Sequence, residues 1–309
     1  MPPFRFGLQC KGPADPAGWR ALARRLEGDG WSTLTVADHL DEGLAPVPAL
    51  MAAADATTTL RVGSMVLAND YRHPVVLAKE AATLDVLTAG RFDLGIGAGW
   101  MTADYDTAGF PMDPAGVRVD RLTEALTVLR GLWTDGPCTF AGRHYRIDGL
   151  DGLPRPLTPG GPPVVIGGGG PRVLRLAAAH AEVVGLNVNL RAGVIDERAF
   201  PDGTPTATDR KVGWVREAAA GRDRPPELQV RVHLAMVTDD RAGTIEQLAP
   251  AFGLSPAEAA ETPHALIGTV EEICDQLVER RERWGISYVG LSQDQLEPFG
   301  PVVARLAGT

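Results

Sequence analysis

Long apolar runs, paired cysteines and clusters of basic residues are all missing from this sequence. Its 309 residues contain no uninterrupted apolar stretch of about 18 or more, which argues against a transmembrane helix. The N-terminus lacks the basic start and apolar centre of a secretory signal, so we expect a cytoplasmic protein. Cys10, Cys138 and Cys274 are odd in number and far apart. Without a disulfide framework or a Cys-x-x-Cys motif, they are expected to be small buried residues.

The charge balance disfavours another group of functions. The chain has 30 basic and 39 acidic side chains, a net charge of −9, and no cluster of lysine and arginine. Such a protein has little attraction for nucleic acid or for an anionic membrane. We therefore expect a small-molecule substrate and neither of those partners.

Short apolar strands alternate with helical patterns along most of the chain. Helical patterns cover residues 15–27, 74–87, 114–133 and 171–181, and each follows a predicted strand. The predicted strands are 4–9, 33–37, 60–68, 91–97, 163–166, 183–187, 228–237 and 286–291. This alternation is typical of a parallel sheet that is covered by helices or closed on itself. We predict an α/β fold, a (β/α)8 TIM barrel, as a single domain over residues 1–309.

Three segments interrupt the alternation and are predicted to be insertions. They lie near residues 134–162, 188–208 and 250–266. The first has a hairpin signal around Ala141-Gly142, because glycine adapts to a tight turn between two strands. The second is polar and contains glycine and proline, which predicts a loop.

Glycines are concentrated at two places where a predicted strand ends. The strand 91–97 runs into the motif Gly95-x-Gly-x-Gly-Trp100, and four consecutive glycines at 167–170 precede Pro171. Glycine at a strand end lets the backbone approach a flat or anionic ligand closely, because no Cβ stands in the way. Both places are therefore candidate binding segments.

Neither segment fits the common nucleotide-binding fingerprints. A dinucleotide fingerprint at residues 165–172 requires glycine where Arg172 stands, and an acidic residue where Asn187 stands. Residues 93–99 are similar to the first methyltransferase motif. In that class of protein, the next strand along the chain should end in an acidic residue. Residues 114–133 instead form a predicted helix, so both interpretations are disfavoured.

The four consecutive glycines form the better candidate phosphate site. Pro171 has no N–H to lose at the first helical position and so starts a helix well. The amides before it are unobstructed, and the helix N-terminus adds partial positive charge. An arginine nearby can add a charged hydrogen bond. The candidate residues are Gly167, Gly168, Gly169, Gly170, Arg172 and Val173.

Six short motifs follow one another along the chain. They lie at residues 38–39, 63–67, 71–74, 84–85, 95–100 and 167–172. In this order they resemble the bacterial luciferase-like superfamily, and more narrowly its branch that uses the deazaflavin coenzyme F420. The resemblance covers nearly the whole chain and implies a TIM barrel. Because FMN enzymes share this scaffold, FMN remains the alternative cofactor.

The resemblance also implies cofactor contacts at several positions. In the family, a bulge with a non-proline cis peptide backs the deazaflavin ring, and residues 65–66 stand at that place. In the same family, an aspartate at the position of Asp38 hydrogen-bonds the ring system or the hydroxylated side chain of the cofactor. The residues implied are Asp38, Met65, Val66, Ala68, Gly97 and Ala98.

His39 is the candidate catalytic residue. It follows a predicted buried strand, at the rim of the barrel where active sites of this fold lie. An imidazole titrates near neutral pH, so it can hydrogen-bond a reacting hydroxyl group or accept its proton. The resemblance implies the same role, because the family uses a histidine at this position.

Trp100 is a departure from part of the resembling branch. Its sugar-phosphate dehydrogenases carry a glutamate here that exchanges a proton with the substrate, and an indole cannot do so. Together with Met101 and Tyr105, Trp100 predicts a rather apolar substrate pocket. Asp104 is predicted to cap a helix or to bind polar groups.

The sequence therefore predicts an F420-dependent oxidoreductase. It would transfer a hydride between deazaflavin C5 and a small, rather apolar substrate, at a C=C, C=N or carbonyl/alcohol group. One alternative is an FMN-dependent luciferase-like monooxygenase, and another is a non-catalytic F420 or flavin-binding protein. The resemblance implies a homodimer formed through helices beside the second and third strands. We predict no metal site.

Overall fold

A closed barrel of eight parallel strands forms the centre of the computed structural model, which describes residues 1–13, 15–40, 43–194 and 198–309. The strands are β1 Arg5–Gln9, β2 Thr33–Val36, β3 Arg61–Ser64, β4 Leu67–Ala68, β5 Phe92–Gly97, β6 Pro137–Ala141, β7 Arg146–Asp151, β8 Val164–Gly168, β9 Val183–Leu186, β10 Glu227–Arg231, β11 Leu234–Val237, β12 Ala265–Gly268 and β13 Ile286–Ser292. The barrel order is β1-β2-β3-β5-β8-β9-β10-β13, and β13 pairs with β1 to close it. The predicted TIM barrel is confirmed.

Helices pack around the barrel in the alternating order that parallel pairing requires. They are α1 Pro16–Gly28, α2 Pro46–Asp55, α3 Pro74–Leu87, α4 Thr102–Ala108, α5 Ala115–Trp133, α6 Pro171–His180, α7 Pro205–Ala218, α8 Arg241–Leu248, α9 Pro256–Glu261, α10 Val270–Trp284 and α11 Leu296–Leu306. Among the described residues, no helix has the length and apolar character needed to cross a membrane.

The predicted strand 228–237 was too long. In the structure β10 ends at Arg231, and the chain then leaves the barrel to form β11, which pairs with β12. The backbone N–H of His233 already donates to His264 O rather than to a barrel strand. Apolar residues recur through the whole segment, and no glycine or proline marks the end of β10, so the sequence pattern could not reveal the change of partner.

The predicted loop 188–208 was also too long, because α7 begins inside it at Pro205. The Thr204 side chain accepts a hydrogen bond from the Ala207 N–H, and Pro205 occupies the first helical position. The other two insertions have regular structure of their own. Strands β6 and β7 form the predicted antiparallel hairpin, while α8 and α9 enclose a small separate apolar cluster with β12.

The barrel interior is polar at its amino-terminal end. Arg5 donates to Glu227 Oε2 at 2.8 Å, and Arg61 donates to Asp93 Oδ1 at 2.6 Å. Interiors of this fold are usually filled by branched apolar residues. In this barrel, paired charges close the amino-terminal end, and the opposite, carboxyl end is left for a site.

Candidate active site

The predicted site residues lie at the carboxyl ends of four barrel strands that neighbour one another. His39 follows β2, residues 65–68 follow β3, residues 97–101 end or follow β5, and residues 167–170 end β8. Active sites of TIM barrels lie at this face because the loops there converge. The structure thus brings the predicted residues together on one half of the barrel mouth.

The alternating glycines at the end of β5 are required by the packing of the protein itself. A Cβ on Gly95 would lie 1.9 Å from Ser64 O, and one on Gly97 would lie 2.9 Å from Val66 Cγ2. These two glycines therefore admit the segment between β3 and β4, where the Met65–Val66 peptide bond is cis. The sequence interpretation, that the glycines let the rim approach a ligand directly, did not foresee this neighbour.

The carboxylate of Asp38 is hydrogen-bonded to other residues of the protein. Its carboxylate accepts hydrogen bonds from Arg72 Nη1 at 2.6 Å, from Arg72 Nη2 at 3.1 Å and from the Ala68 N–H at 3.0 Å. Both oxygens are thus used, and the side chain is nearly buried. Asp38 ties the end of β2 to the segment after β4 and so holds the backbone that carries His39. The sequence reasoning missed Arg72.

His39 forms a hydrogen-bonded pair with Asp104. The distance from His39 Nδ1 to Asp104 Oδ2 is 2.8 Å, and Asp104 Oδ1 accepts the Leu40 N–H at 3.3 Å. A carboxylate accepts, so Nδ1 carries the proton and Nε2 is the nitrogen that can exchange one with a ligand. The edge of the Trp100 ring packs against the imidazole, with centroids 5.6 Å apart. The imidazole is therefore oriented from two sides.

Tyr105 lies beneath the rim rather than in an open pocket. Its side chain is only 1% exposed, and its hydroxyl donates to Asp70 Oδ2 at 2.9 Å. Burial, together with the Asp70 charge, raises the pKa of Tyr105 to about 12, so the hydroxyl remains a donor near neutral pH. Gly99 has a φ of +78°, and a Cβ there would meet the Tyr105 hydroxyl. Tyr105 thus supports the rim from below.

Trp100 and Met101 remain partly exposed at the mouth, beside His39. Arg118 holds the segment that leads to them by donating to Gly99 O at 2.5 Å and to Ala98 O at 3.4 Å. This arginine lies on α5 and was not identified from the sequence. The aromatic side of the mouth is consequently fixed in place from outside the barrel.

The four glycines at the end of β8 serve two different purposes. A Cβ on Gly168 would lie 2.6 Å from Val173 Cγ1, and one on Gly169 would lie 2.5 Å from the backbone of Val188. Those two are needed for packing of the chain itself. A Cβ on Gly167 or Gly170 would meet nothing closer than 3.8 Å and 3.9 Å respectively. The space beside these two glycines is open.

The N-terminus of α6 lies directly after this open space. Gly170 is its N-cap residue, and no side chain caps the helix. The first amides of a helix have no partner within it, so they point out as donors with the positive end of the helix dipole. Arg172, on the first turn, is exposed and pairs with Asp120 on α5. Because an exposed ion pair contributes little free energy, Arg172 is able to exchange Asp120 for an anionic ligand group.

The protein is a TIM barrel whose carboxyl rim carries an imidazole–carboxylate pair and a glycine-lined helix N-terminus. This combination is typical of an enzyme site. The family model described as luciferase-like monooxygenase matches residues 2–264, and the chain belongs to this family. The described residues contain no group of three or more His, Cys, Asp or Glu side chains arranged for a metal ion.

Relatives and solved structures in this family include several F420-dependent enzymes. The chain is 34% identical over 193 residues to the F420-dependent glucose-6-phosphate dehydrogenase of Nakamurella multipartita, covering 59% of this chain and 55% of that one. It is 31% identical over 234 residues to the F420-dependent hydroxymycolic acid dehydrogenase of Mycobacterium tuberculosis, covering 72% and 59%. The matched regions thus span little more than half of these relatives.

A solved structure matches the fold over nearly the whole chain. The coenzyme F420-dependent tetrahydromethanopterin reductase of Methanopyrus kandleri superposes with a TM-score of 0.76, covering 99% of this chain and 98% of that chain. The sequence identity is 18%, so this likeness supports the fold alone.

Proposed function

We propose that this protein is an F420-dependent oxidoreductase. The observation that carries the proposal is the pairing of His39 with Asp104 on the same rim as the open N-terminus of α6. The names of the two similar dehydrogenases support F420 as the cofactor. A proton-exchanging group beside an anion-binding helix end is the combination that a phosphate-bearing redox cofactor needs.

The residues present fit such a cofactor. The space beside Gly167 and Gly170 and the uncapped amides of α6 would receive its phosphate, and Arg172 would contribute a charged hydrogen bond. The cis segment at Met65–Val66 would support the ring system from the side of β3. When bound, F420 supplies a hydride acceptor or donor at its deazaflavin C5.

The protein's own groups then have separate tasks. His39 Nε2 would exchange a proton with the substrate oxygen or nitrogen, while Asp104 keeps the imidazole oriented. Trp100 and Met101 would contact an apolar part of the substrate and help to exclude water from it. We propose that the substrate is a small, rather apolar molecule that reacts at a C=C, C=N or carbonyl/alcohol group.

Cofactor titration tests this proposal directly. Purified protein is titrated with F420 and, separately, with FMN while its tryptophan fluorescence is followed. We expect saturable quenching by F420 at micromolar concentration and a much weaker response to FMN. Micromolar FMN affinity without any F420 response would instead favour the monooxygenase. Tight F420 binding without reduction of the bound cofactor by any substrate tested would favour a non-catalytic binding protein.

Asp104→Asn tests whether the carboxylate positions His39. We expect kcat to fall about tenfold or more, because the neutral amide neither selects the tautomer nor stabilises an imidazolium. The KM and the F420 affinity should stay within about twofold, since Asp104 contacts neither ligand in this proposal. Asp106→Asn, at an exposed position of the same helix, is the matched control and should leave kcat unchanged. A parallel loss of kcat and F420 affinity in Asp104→Asn would indicate a general structural role.

We propose that the protein forms a homodimer through α3. Val76 and Leu87 lie three turns apart on this helix and are 52% and 61% exposed. Exposed apolar side chains repeated along one helix face indicate a surface that is covered in the assembled protein. A homodimer through helices beside the second and third strands is also what the family resemblance of the sequence implies.

Light scattering during size-exclusion chromatography tests the dimer. We expect twice the chain mass of 32.8 kDa for the wild type, and the single-chain mass for Val76→Glu combined with Leu87→Glu. Leu150→Glu, on the exposed face of the hairpin, is the control and should remain dimeric. A monomeric wild type, or a double variant that stays dimeric, contradicts the proposed interface.

A further inference from the structure

Arg231 is an arginine inside the barrel mouth that the predicted site did not include. Two residues before it, Gln229 lies across the barrel interior, because a Cβ on Gly290 would be 2.3 Å from Gln229 Nε2 and one on Gly185 would be 3.0 Å from Gln229 Oε1. Side chains two residues apart on a strand point to the same side. Arg231, the last residue of β10, therefore points into the barrel one layer nearer the mouth.

The guanidinium of Arg231 has almost no partners within the protein. Its Nη2 donates to Ser292 Oγ at 2.5 Å, and no carboxylate of the described residues lies within 4.0 Å of it. A guanidinium has five N–H donors, so most of them are available. By contrast, Arg5 and Arg61 at the other end of the barrel are paired with carboxylates. Arg231 is thus a partly buried cation without a direct ion-pair partner among the described residues.

The surroundings of Arg231 leave it positively charged. Burial lowers the pKa of Arg231 to about 10, while the charge of Asp294 acts in the opposite direction, so the group is still a cation at neutral pH. Burial and the nearby Arg231 charge lower the pKa of His233 to about 4, so that imidazole is neutral. Its Nε2–H donates to Asn187 Oδ1 at 2.8 Å. The local environment therefore presents one positive charge.

A row of polar side chains leads from Arg231 toward the candidate active site. Ser292 ends β13, and its register partner on the adjacent strand β1 is Gln9. The Gln9 side chain donates from Nε2 to Met65 O at 3.0 Å. Arg231 consequently belongs to the same mouth as the cis segment and His39, on the side where the predicted site had no charged group.

We propose that Arg231 and Ser292 form a carboxylate-binding subsite and that the substrate is an apolar organic acid. The carboxylate site itself does not depend on the proposed function. Only the statement that the bound acid is the substrate rests on it. The planar guanidinium fork matches the two oxygens of a carboxylate, and the Ser292 hydroxyl, which accepts from Arg231, can still donate. A dianionic phosphate would require further positive charge, which the neutral His233 does not provide. The apolar body of the acid would face Trp100.

Isothermal titration of the cofactor-free protein with benzoate and with benzyl alcohol tests the subsite. The two probes have the same ring and differ in charge. We expect benzoate to bind the wild type at least tenfold more tightly than benzyl alcohol. In Arg231→Gln the two affinities should come within about twofold of each other, because the neutral side chain lacks both the charge and the fork. Arg231→Lys should retain part of the preference, since it keeps the charge without the fork.

Two comparisons make the result decisive. Arg305→Gln removes an exposed arginine that pairs with Glu271, and it should leave the benzoate preference unchanged. If Arg231→Gln does not fold, Arg231→Lys provides the test, because it should lose part of the preference for benzoate over benzyl alcohol. Benzoate binding no tighter than that of benzyl alcohol in the wild type, or an equal preference in the wild type and the Arg231 variants, would overturn the proposal. Failure of F420 to bind would overturn the proposed function and leave this result standing.

Discussion

We expect the replacement of His39 with alanine to lower the rate of the proposed hydride transfer by roughly 10² or more, the usual scale for loss of an acid–base group. The F420 affinity should change by no more than a few-fold, because the cofactor is held by other residues in the proposed arrangement. The physical reason is that Nε2 of His39 is the nitrogen left available for proton exchange once Asp104 has taken Nδ1. Single-turnover absorbance measurements on the F420-loaded protein give the rate, and fluorescence titration gives the affinity.

The control for this variant is His180→Ala. His180 is the last residue of α6 and lies away from the barrel mouth, and burial lowers the pKa of its imidazole. Its replacement should leave the hydride-transfer rate unchanged. An unchanged rate in His39→Ala would remove His39 from the mechanism, and a large loss of F420 affinity would reassign it to cofactor binding.

Gly170→Val is expected to weaken F420 binding by about tenfold or more, equivalent to about 1.4 kcal/mol. The backbone of Gly170 is extended, with φ −88° and ψ 153°, which a branched residue adopts without strain. The valine side chain would fill the open space before the first amides of α6, where the phosphate is proposed to bind. The thermal unfolding midpoint should remain close to that of the wild type, because a Cβ here meets nothing closer than 3.9 Å.

Two further measurements separate phosphate binding from a general disturbance. A deazaflavin analogue without the phosphate should bind Gly170→Val as well as it binds the wild type. Gly169→Val should lower the unfolding midpoint as well, because its Cβ would lie 2.5 Å from the Val188 backbone, so it cannot serve as the test variant. Equal weakening of F420 and of the analogue by Gly170→Val would contradict the phosphate site at α6.

The barrel could be predicted because each strand carries its own signal. Strand β2 is a short apolar run that ends at Asp38-His39, and β8 ends in a glycine segment before Pro171; both patterns depend on neighbouring residues in the chain. The division of 228–237 into β10 and β11 could not be predicted in this way. No turn residue separates the two strands, and the pairing of β11 with β12 becomes visible only in the fold.

The site shows the same division. His39 and the glycines at 167–170 could be found from residue type and position at a strand end. Its partner Asp104 could not, because 65 residues separate the two and no local pattern marks the contact. Arg231 gave no signal either, since a single arginine at a strand end resembles any surface arginine until the barrel closes around it.

The sequence by itself determined the alternation of strands and helices, the barrel and the glycine-lined start of α6, because these features depend on side-chain periodicity and local backbone freedom. The tertiary structure decided which groups meet at the mouth. It paired His39 with Asp104, and it packed the cis segment against Gly95 and Gly97. It also left Arg231 without a direct ion pair to any residue in the described part of the chain. The physical reason is that hydrogen bonds and charge pairing act over a few ångströms in space, whatever the separation of the partners along the chain.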